Sequence, residues 1–409
     1  MSFCRRFVLL SSAVLFTSMA YALDDVNDED IQALRDWINS KRMITVRELG
    51  GQLSISGEIR AEMQASNATR DGVAEYGRGS GRPSDAYDVE FNLGIDYRTE
   101  NTWSAARIKF DNDAGITTEH FGSGTTNKIK VDKAYFGYRL IDGDRHTMDI
   151  EVGRKGLFLV FDSRVQFLSN FDGVSFKDSY AVDKVGDFYY QLAAFMVNEK
   201  KDQAAYGTEL GVLNVANTGF YTKYSLIDWD TKDIKDVPEE FHFIISQLLL
   251  GYKFIPQPWD KVVNFYFAGL YNHRARPNEI SNHKRANYGG YLGFSVGQIK
   301  KAGDWTFEAN YQVLAAQCVP AFDVSGVGIG NRKDHSFYYH INKGHVHRNK
   351  ESDEAEGNVN YRGYKLVFQY MLTNNLNIFQ EWSQSITLDD SIGPFRKFKQ
   401  YEVELIYAF

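Results

Sequence analysis

The sequence predicts an all-β protein, a transmembrane antiparallel β-barrel of about sixteen strands preceded by a short N-terminal helix. Three observations predict it: two-residue alternation through most of the chain, an export leader with no later apolar run long enough for a spanning helix, and connections that alternate long and short. The alternation is plainest at the C-terminus, where Tyr401, Val403, Leu405, Tyr407 and Phe409 take every second position and Gln400, Glu402 and Glu404 fall between them. Successive strand side chains point to opposite faces, so this segment is apolar on one side and charged on the other, with Ile406 and Ala408 as exceptions. That suits a wall between lipid and water; the edge strand of a soluble sheet is the competing reading.

Residues 1–22 read as a signal peptide: Arg5 and Arg6 precede the apolar stretch 7–20, and Ala20-Tyr21-Ala22 has the small-x-small cleavage pattern. An uncleaved anchor fits less well, because the stretch is short for a bilayer and Asp24-Asp25 follow at once. Cys4 lacks the preceding small residue of a lipoprotein site. Residues 23–50 form a periplasmic segment. Within it Ile31, Leu34 and Ile38 fall at helical spacing, Asp28, Glu29 and Asp30 suit a helix N-terminus, and Lys41-Arg42 close the other end. Such a helix plugs the pore, binds a partner or leads into the wall.

Residues 51–409 show no linker, composition break or repeat, so they form one domain. The full chain carries a net charge of −7, and losing Arg5 and Arg6 makes it more acidic, which excludes nucleic acid as a partner. Aromatic residues at 15% and 34 glycines against seven prolines suit barrel walls and short turns. Cys318, the single cysteine after the leader, has no internal disulfide partner, though an intermolecular bridge stays open.

The first wall segment, 51–64, sets Leu53, Ile55, Ile59, Ala61 and Met63 against Glu58, Arg60, Glu62 and Gln64. The second sets Val89, Phe91, Leu93, Ile95 and Tyr97 against Asp88, Glu90, Asn92, Asp96 and Arg98. In the third, 103–112, Ala106, Ile108 and Phe110 oppose Arg107, Lys109 and Asp111. The same rule places strands over 129–140, 146–154, 171–178, 186–197, 206–214, 218–228, 241–254, 261–274, 286–297, 303–314, 359–372, 375–386 and 398–409. Aromatics near strand ends on the apolar face, among them Trp103, Phe136, Tyr138, Phe265, Trp305, Tyr311 and Tyr407, mark interface girdles against outer-membrane lipid. Connections 65–86, 113–128, 155–170, 229–240, 277–284 and 315–358 are long, whereas 142–144, 255–260, 298–302 and 373–374 are short, the rhythm of outer loops and periplasmic turns.

With leader, terminal strand, strand number and loop rhythm assembled, the chain resembles the general and carbohydrate-type porins of Gram-negative bacteria over nearly all of 51–409. The segment Lys41-Arg42-Met43-Ile44-Thr45-Val46 is also similar to the start of porin-like proteins of chlamydia-related bacteria. The sharpest local likeness is Val152-Gly153-Arg154, a loop, and then Phe171-Asp172-Gly173-Val174-Ser175-Phe176, the place where the third outer loop of porins folds into the lumen. The resemblance implies an outer-membrane location, insertion by the barrel-assembly machinery reading Phe409, passive diffusion of small hydrophilic solutes and a homotrimer.

Connection 155–170 carries Leu157, Phe158, Leu159, Val160 and Phe161, too apolar to wave in water, so it packs on the inner wall and turns Asp162, Arg164 and Gln166 to the channel. Alternation points Arg60, Arg98, Arg107, Lys109, Lys133 and Arg139 inward, a basic ladder facing Asp162 across the narrowest section. The plainer reading is that inward charges neutralise one another, since Glu58, Glu62, Asp88, Glu90, Asp96 and Asp111 share these walls. Inward Tyr135 and Tyr221 are suited to stacking on sugars.

His335, His340, His345 and His347 match no metal-ligand spacing and read as a polar loop, so neither metal nor cofactor is expected. A nucleophile elbow, HExxH, a P-loop and a dinucleotide glycine fingerprint are all absent, which argues against an enzyme. Two rival functions use the same architecture: a barrel enzyme such as a lipase or protease, with residues spread over strands, and a surface adhesin acting through loops 65–86 and 315–358.

Overall fold

A computed structural model describes residues 43–46, 51–74, 85–111, 128–198, 203–229, 242–257, 259, 261–277, 281–328, 340–341, 355–356 and 358–409. Sixteen strands form the wall: β1 Gly51–Arg70, β2 Asp85–Arg98, β3 Thr102–Asp111, β4 Lys128–Asp142, β5 His146–Gly156, β6 Asn170–Val182, β7 Gly186–Asn198 and β8 Gln203–Val215. They continue as β9 Phe220–Trp229, β10 Phe243–Phe254, β11 Val263–Asn272, β12 Tyr288–Gly297, β13 Trp305–Leu314, β14 Tyr361–Met371, β15 Leu376–Thr387 and β16 Arg396–Ala408. Each pairs antiparallel with its neighbours in sequence, and β1 pairs with β16 from Glu58↔Ala408 to Arg70↔Arg396, so the sheet closes and leaves no edge. The expected N-terminal helix and the His-rich segment lie outside the described residues, apart from a short pairing of His340–Ile341 with Ala355–Glu356.

Closure explains where strands exceed their sequence pattern. β1 runs past the expected Gln64 to Arg70 because Ser66–Arg70 find partners on β16, from Gln400 to Arg396. At the end where β1 begins, the strand Met43–Val46 forms a hairpin with Gly51–Ser54. Phe409 exchanges backbone hydrogen bonds with Gly57 at 2.8 and 2.9 Å, and its ring lies where a Cβ on Gly57 would sit. A side chain at position 57 would therefore displace the terminal aromatic.

Alternation turns apolar side chains out and polar ones in. Ile55, Ile59, Phe136, Tyr138, Leu248, Phe265, Phe267, Tyr311 and Tyr407 all stand on the outer surface. At the β3–β4 pair a bulge changes the phase: Arg107 opposes Lys133 and Ile108 opposes Val131, so Asp132 is the extra residue. Val131 stays outside, 51% exposed, and Asp132 turns in to meet Arg107. Trp103 departs from the expected girdle. It lies inside, above the side-chain-free Gly137, donates Nε1–H to Glu151 at 2.9 Å and has the Arg139 guanidinium 5.9 Å from its ring.

The interior is polar on one side and apolar on the other. Near the end of the barrel away from the termini, the inner faces of β6–β14 carry Phe195, Ile227, Trp229, Phe243, Ile245 and Leu314 in one buried apolar cluster. Two connections fill it: 157–169, the third at this end, and residues 315–328, which open the seventh. Gln317 anchors the latter, accepting Asn272 Nδ2–H on its carbonyl at 2.7 Å and donating Nε2–H to Arg276 O at 3.0 Å. Cys318 lies deep within this cluster, so the intermolecular disulfide that the sequence leaves open has no surface on which to form.

Candidate pore lining

The third loop is built by apolar anchoring. A short 3-10 turn, Leu157–Leu159, follows β5, and Leu157 N–H reaches across the loop base to Ser169 O at 2.9 Å. Leu157, Val160, Phe161, Val165 and Phe167 are buried in the dry cluster, whereas Phe158 and Leu168 are exposed. Each buried side chain contributes on the order of 1.5–3 kcal/mol of transfer free energy, enough together to hold the loop against the wall. Gly207 on β8 makes one seat: a Cβ there would stand 2.6 Å from the Phe161 ring.

That packing presents two charged groups to a cavity of about 950 Å³, also lined by Tyr135, Lys177, Tyr189, Tyr221, Lys253 and Tyr266. Asp162 pairs with Lys223 of β9 at 2.8 Å, and its backbone is held by Glu209 at 3.2 Å and by Gln247 Nε2–H at 2.6 Å. Arg164 reaches Glu308 of β13 at 3.4 Å and lies 5.4 Å from the Tyr266 ring centroid. Gln166, expected at the channel, is instead 1% exposed between loop and wall, with its amide 3.4 Å from Gln247. Packing of Val165 and Phe167 on either side carries it inward.

The inward bases of the early strands are engaged locally. Arg60 meets Glu58 at 2.9 Å, Glu404 at 3.3 Å and Glu90 at 4.0 Å; Lys109 meets Glu90 at 2.6 Å. Arg107 is paired with Asp132, and Arg139 with Asp149 at 2.9 Å and Asp142 at 3.1 Å. Arg98 stands opposite Trp103 at the terminal end of β2, and Lys133 alone of the six lines the same cavity as Asp162, its ammonium 5.3 Å from the Tyr135 ring. The structure thus brings Asp162 to Lys223 rather than to a ladder on β1–β4.

Glu62, Glu402 and Glu404 gather on the opposite wall, with carboxylate oxygens within 4.8 Å of one another. Counting strands around the ring, this acidic strip on β1 and β16 stands half a turn from Lys223 on β9, with Lys177 on β6 and Lys253 on β10 to either side of it. Lys177, Glu209, Lys223 and Tyr266 line the cavity and Glu308 holds Arg164, and the sequence pattern did not single out any of them. Alternation is the signal that points to them, since each has the inward phase of its strand.

No protein-family description matches the chain, and no curated protein matches it. Among solved structures, OprB of Pseudomonas putida superposes with a TM-score of 0.52 at 10% identity, over 87% of this chain and 94% of that one. A triple mutant of the porin of Rhodopseudomonas blastica gives 0.45 at 10% identity, over 87% of this chain and 100% of that one. The likeness to OprB is one of fold: the chain is a closed sixteen-strand antiparallel barrel of the porin type.

Proposed function

We propose that this chain is a non-enzymatic outer-membrane pore through which small hydrophilic solutes diffuse, narrowed by the third loop. The observation that carries this reading is a charged loop segment, Asp162 to Arg164, anchored by apolar residues inside a closed barrel and facing a cavity of about 950 Å³ lined also by lysines and tyrosines. A dry barrel would have no use for Lys177, Lys223 and Lys253 on its inner face, because unsolvated charges are costly. Residues 1–22 then direct export, 23–50 remain periplasmic and 51–409 form the barrel. The termini face the periplasm, and Phe409 is the residue the assembly machinery reads.

Charge placement favours a transverse field across the passage, directed from the lysines of β6, β9 and β10 towards Glu62, Glu402 and Glu404. This polarity is the reverse of a basic early wall facing an acidic loop. Tyrosines 135, 189, 221 and 266 beside Arg164 give flat rings and donors, a combination that suits sugars as well as ions. A homotrimer is the assembly we propose.

Purified protein reconstituted in planar bilayers tests the reading. Wild type should conduct KCl and pass sugars in swelling assays, and Asp162→Ala should shift the reversal potential towards anion preference. Absence of any channel would remove the pore; unchanged selectivity would remove the role given to Asp162.

A further inference from the structure

The third loop is not held by the wall alone. Its returning limb, 165–169, is hydrogen-bonded to Asp323 and Ser325 of the seventh loop. The Asp323 carboxylate accepts Phe167 N–H on Oδ2 at 3.0 Å and Ser169 N–H on Oδ1 at 3.1 Å, while the Asp323 backbone carbonyl accepts the intervening Leu168 N–H at 3.2 Å. Ser325 completes the match: its N–H donates to Val165 O at 3.2 Å and its hydroxyl to Gln166 O at 2.8 Å. Three consecutive amide donors of one loop are thus satisfied by a single residue of another.

The same point carries backbone strain. Phe167 has φ +77°, a left-handed conformation that a bulky L-residue adopts only where its surroundings impose it. Its ring packs 5.3 Å from that of Phe161, centroid to centroid, and its N–H is one of the two that the Asp323 carboxylate holds. Asp323 itself is 0% exposed, on the short turn Ala321–Asp323. A buried carboxylate is retained at a cost unless its lone pairs are used, and here both oxygens are.

We infer that Asp323 is the positioning residue that clamps the returning limb of the third loop inside the barrel and thereby sets the width of the passage. The clamp stands on the geometry above, and its effect on width rests on the pore reading. The seventh loop is then a second structural layer behind the lining, and passage size depends on a residue that touches no solute.

The test uses the full-length folded barrel and two readouts. In wild type the amides of Phe167 and Ser169 should exchange with solvent slowly. In Asp323→Ala they should exchange about 10-fold faster, the factor expected when a hydrogen bond to a buried acceptor is lost. Conductance in bilayers should rise and fluctuate between levels, and Asp323→Asn, which keeps one acceptor oxygen, should fall between. Wild-type exchange and conductance in a folded Asp323→Ala barrel would overturn the proposal. Should that variant fail to fold, unprotected Phe167 and Ser169 amides in wild type would overturn it equally. Protected amides in a wild type that forms no channel would support the clamp and sink only the pore.

Discussion

Around β6–β14 the inward positions away from the termini are Ile227, Trp229, Phe243, Ile245 and Leu314, whereas on β1–β3 and β16 they are Glu62, Asp88, Lys109 and Gln400. Both halves face the same enclosed space, yet one is packed with apolar side chains by two loops and the other is polar and internally ion-paired. Apolar residues in a barrel therefore carry two meanings. On the outer face they stand exposed around the barrel; on the inner face they mark where a loop has come in to cover them.

The largest effect expected from disturbing that contrast is on the dry side. Phe161→Ala removes a buried ring from the seat above Gly207, a class of change that costs about 3–5 kcal/mol. Hydrogen exchange across 157–169 should accelerate sharply while the barrel strands keep their protection. If the strands lose protection in step with the loop, the dry half is not a separate packing unit.

On the charged side the effects should be smaller because water screens them. Arg60 is bound by Glu58, Glu90 and Glu404, but its side chain is 25% exposed. Arg60→Ala should lower stability by roughly 1 kcal/mol, read from the denaturant midpoint, with high salt softening the effect on the three carboxylates left behind. A loss as large as that of Phe161→Ala would mean that this wall is dry as well.

The smallest expected effect is a pH dependence at the loop clamp. Asp323 lies in a connection, not in a spanning strand, and burial pushes its carboxyl up to about 7 against the pull of the Phe167 and Ser169 donors. A folded value above the ordinary one means that the stabilising contribution is complete below about pH 3.8 and is lost as pH rises through about 7. Exchange at residues 165–169 should therefore be faster at pH 8 than at pH 5, after correction for intrinsic rates. The opposite trend would show that the two N–H donors outweigh burial.

Much of the barrel is legible in the amino-acid sequence. Each of the sixteen strands falls where alternation places it, because a lipid-facing and a water-facing side impose a period of two on any strand whatever its partners. The inward phase of Arg60, Lys109, Lys133 and Tyr135 can be read the same way, and so can the apolar anchoring of the third loop through Leu157, Val160 and Phe161. The burial of Gln166 and the entry of 315–328 leave no mark in that pattern, whereas Trp103 shares the inward phase of Arg107 and Lys109. One hint exists: β10 reads Phe243-Ile244-Ile245-Ser246-Gln247-Leu248-Leu249-Leu250, apolar on both faces, the mark of a strand covered on both sides.

Local periodicity is enough to settle the class of fold, the strand number and the face that most wall residues present, since none of these depends on which strands become neighbours. Which charges meet is a matter of tertiary structure, because ion pairing depends on register across strands and on bulges such as the one that brings Asp132 to Arg107. What lies behind the lining is settled at the same level. Asp323 and Phe167 stand 156 residues apart in the chain, and closing a loop of that length leaves no periodic trace in either segment.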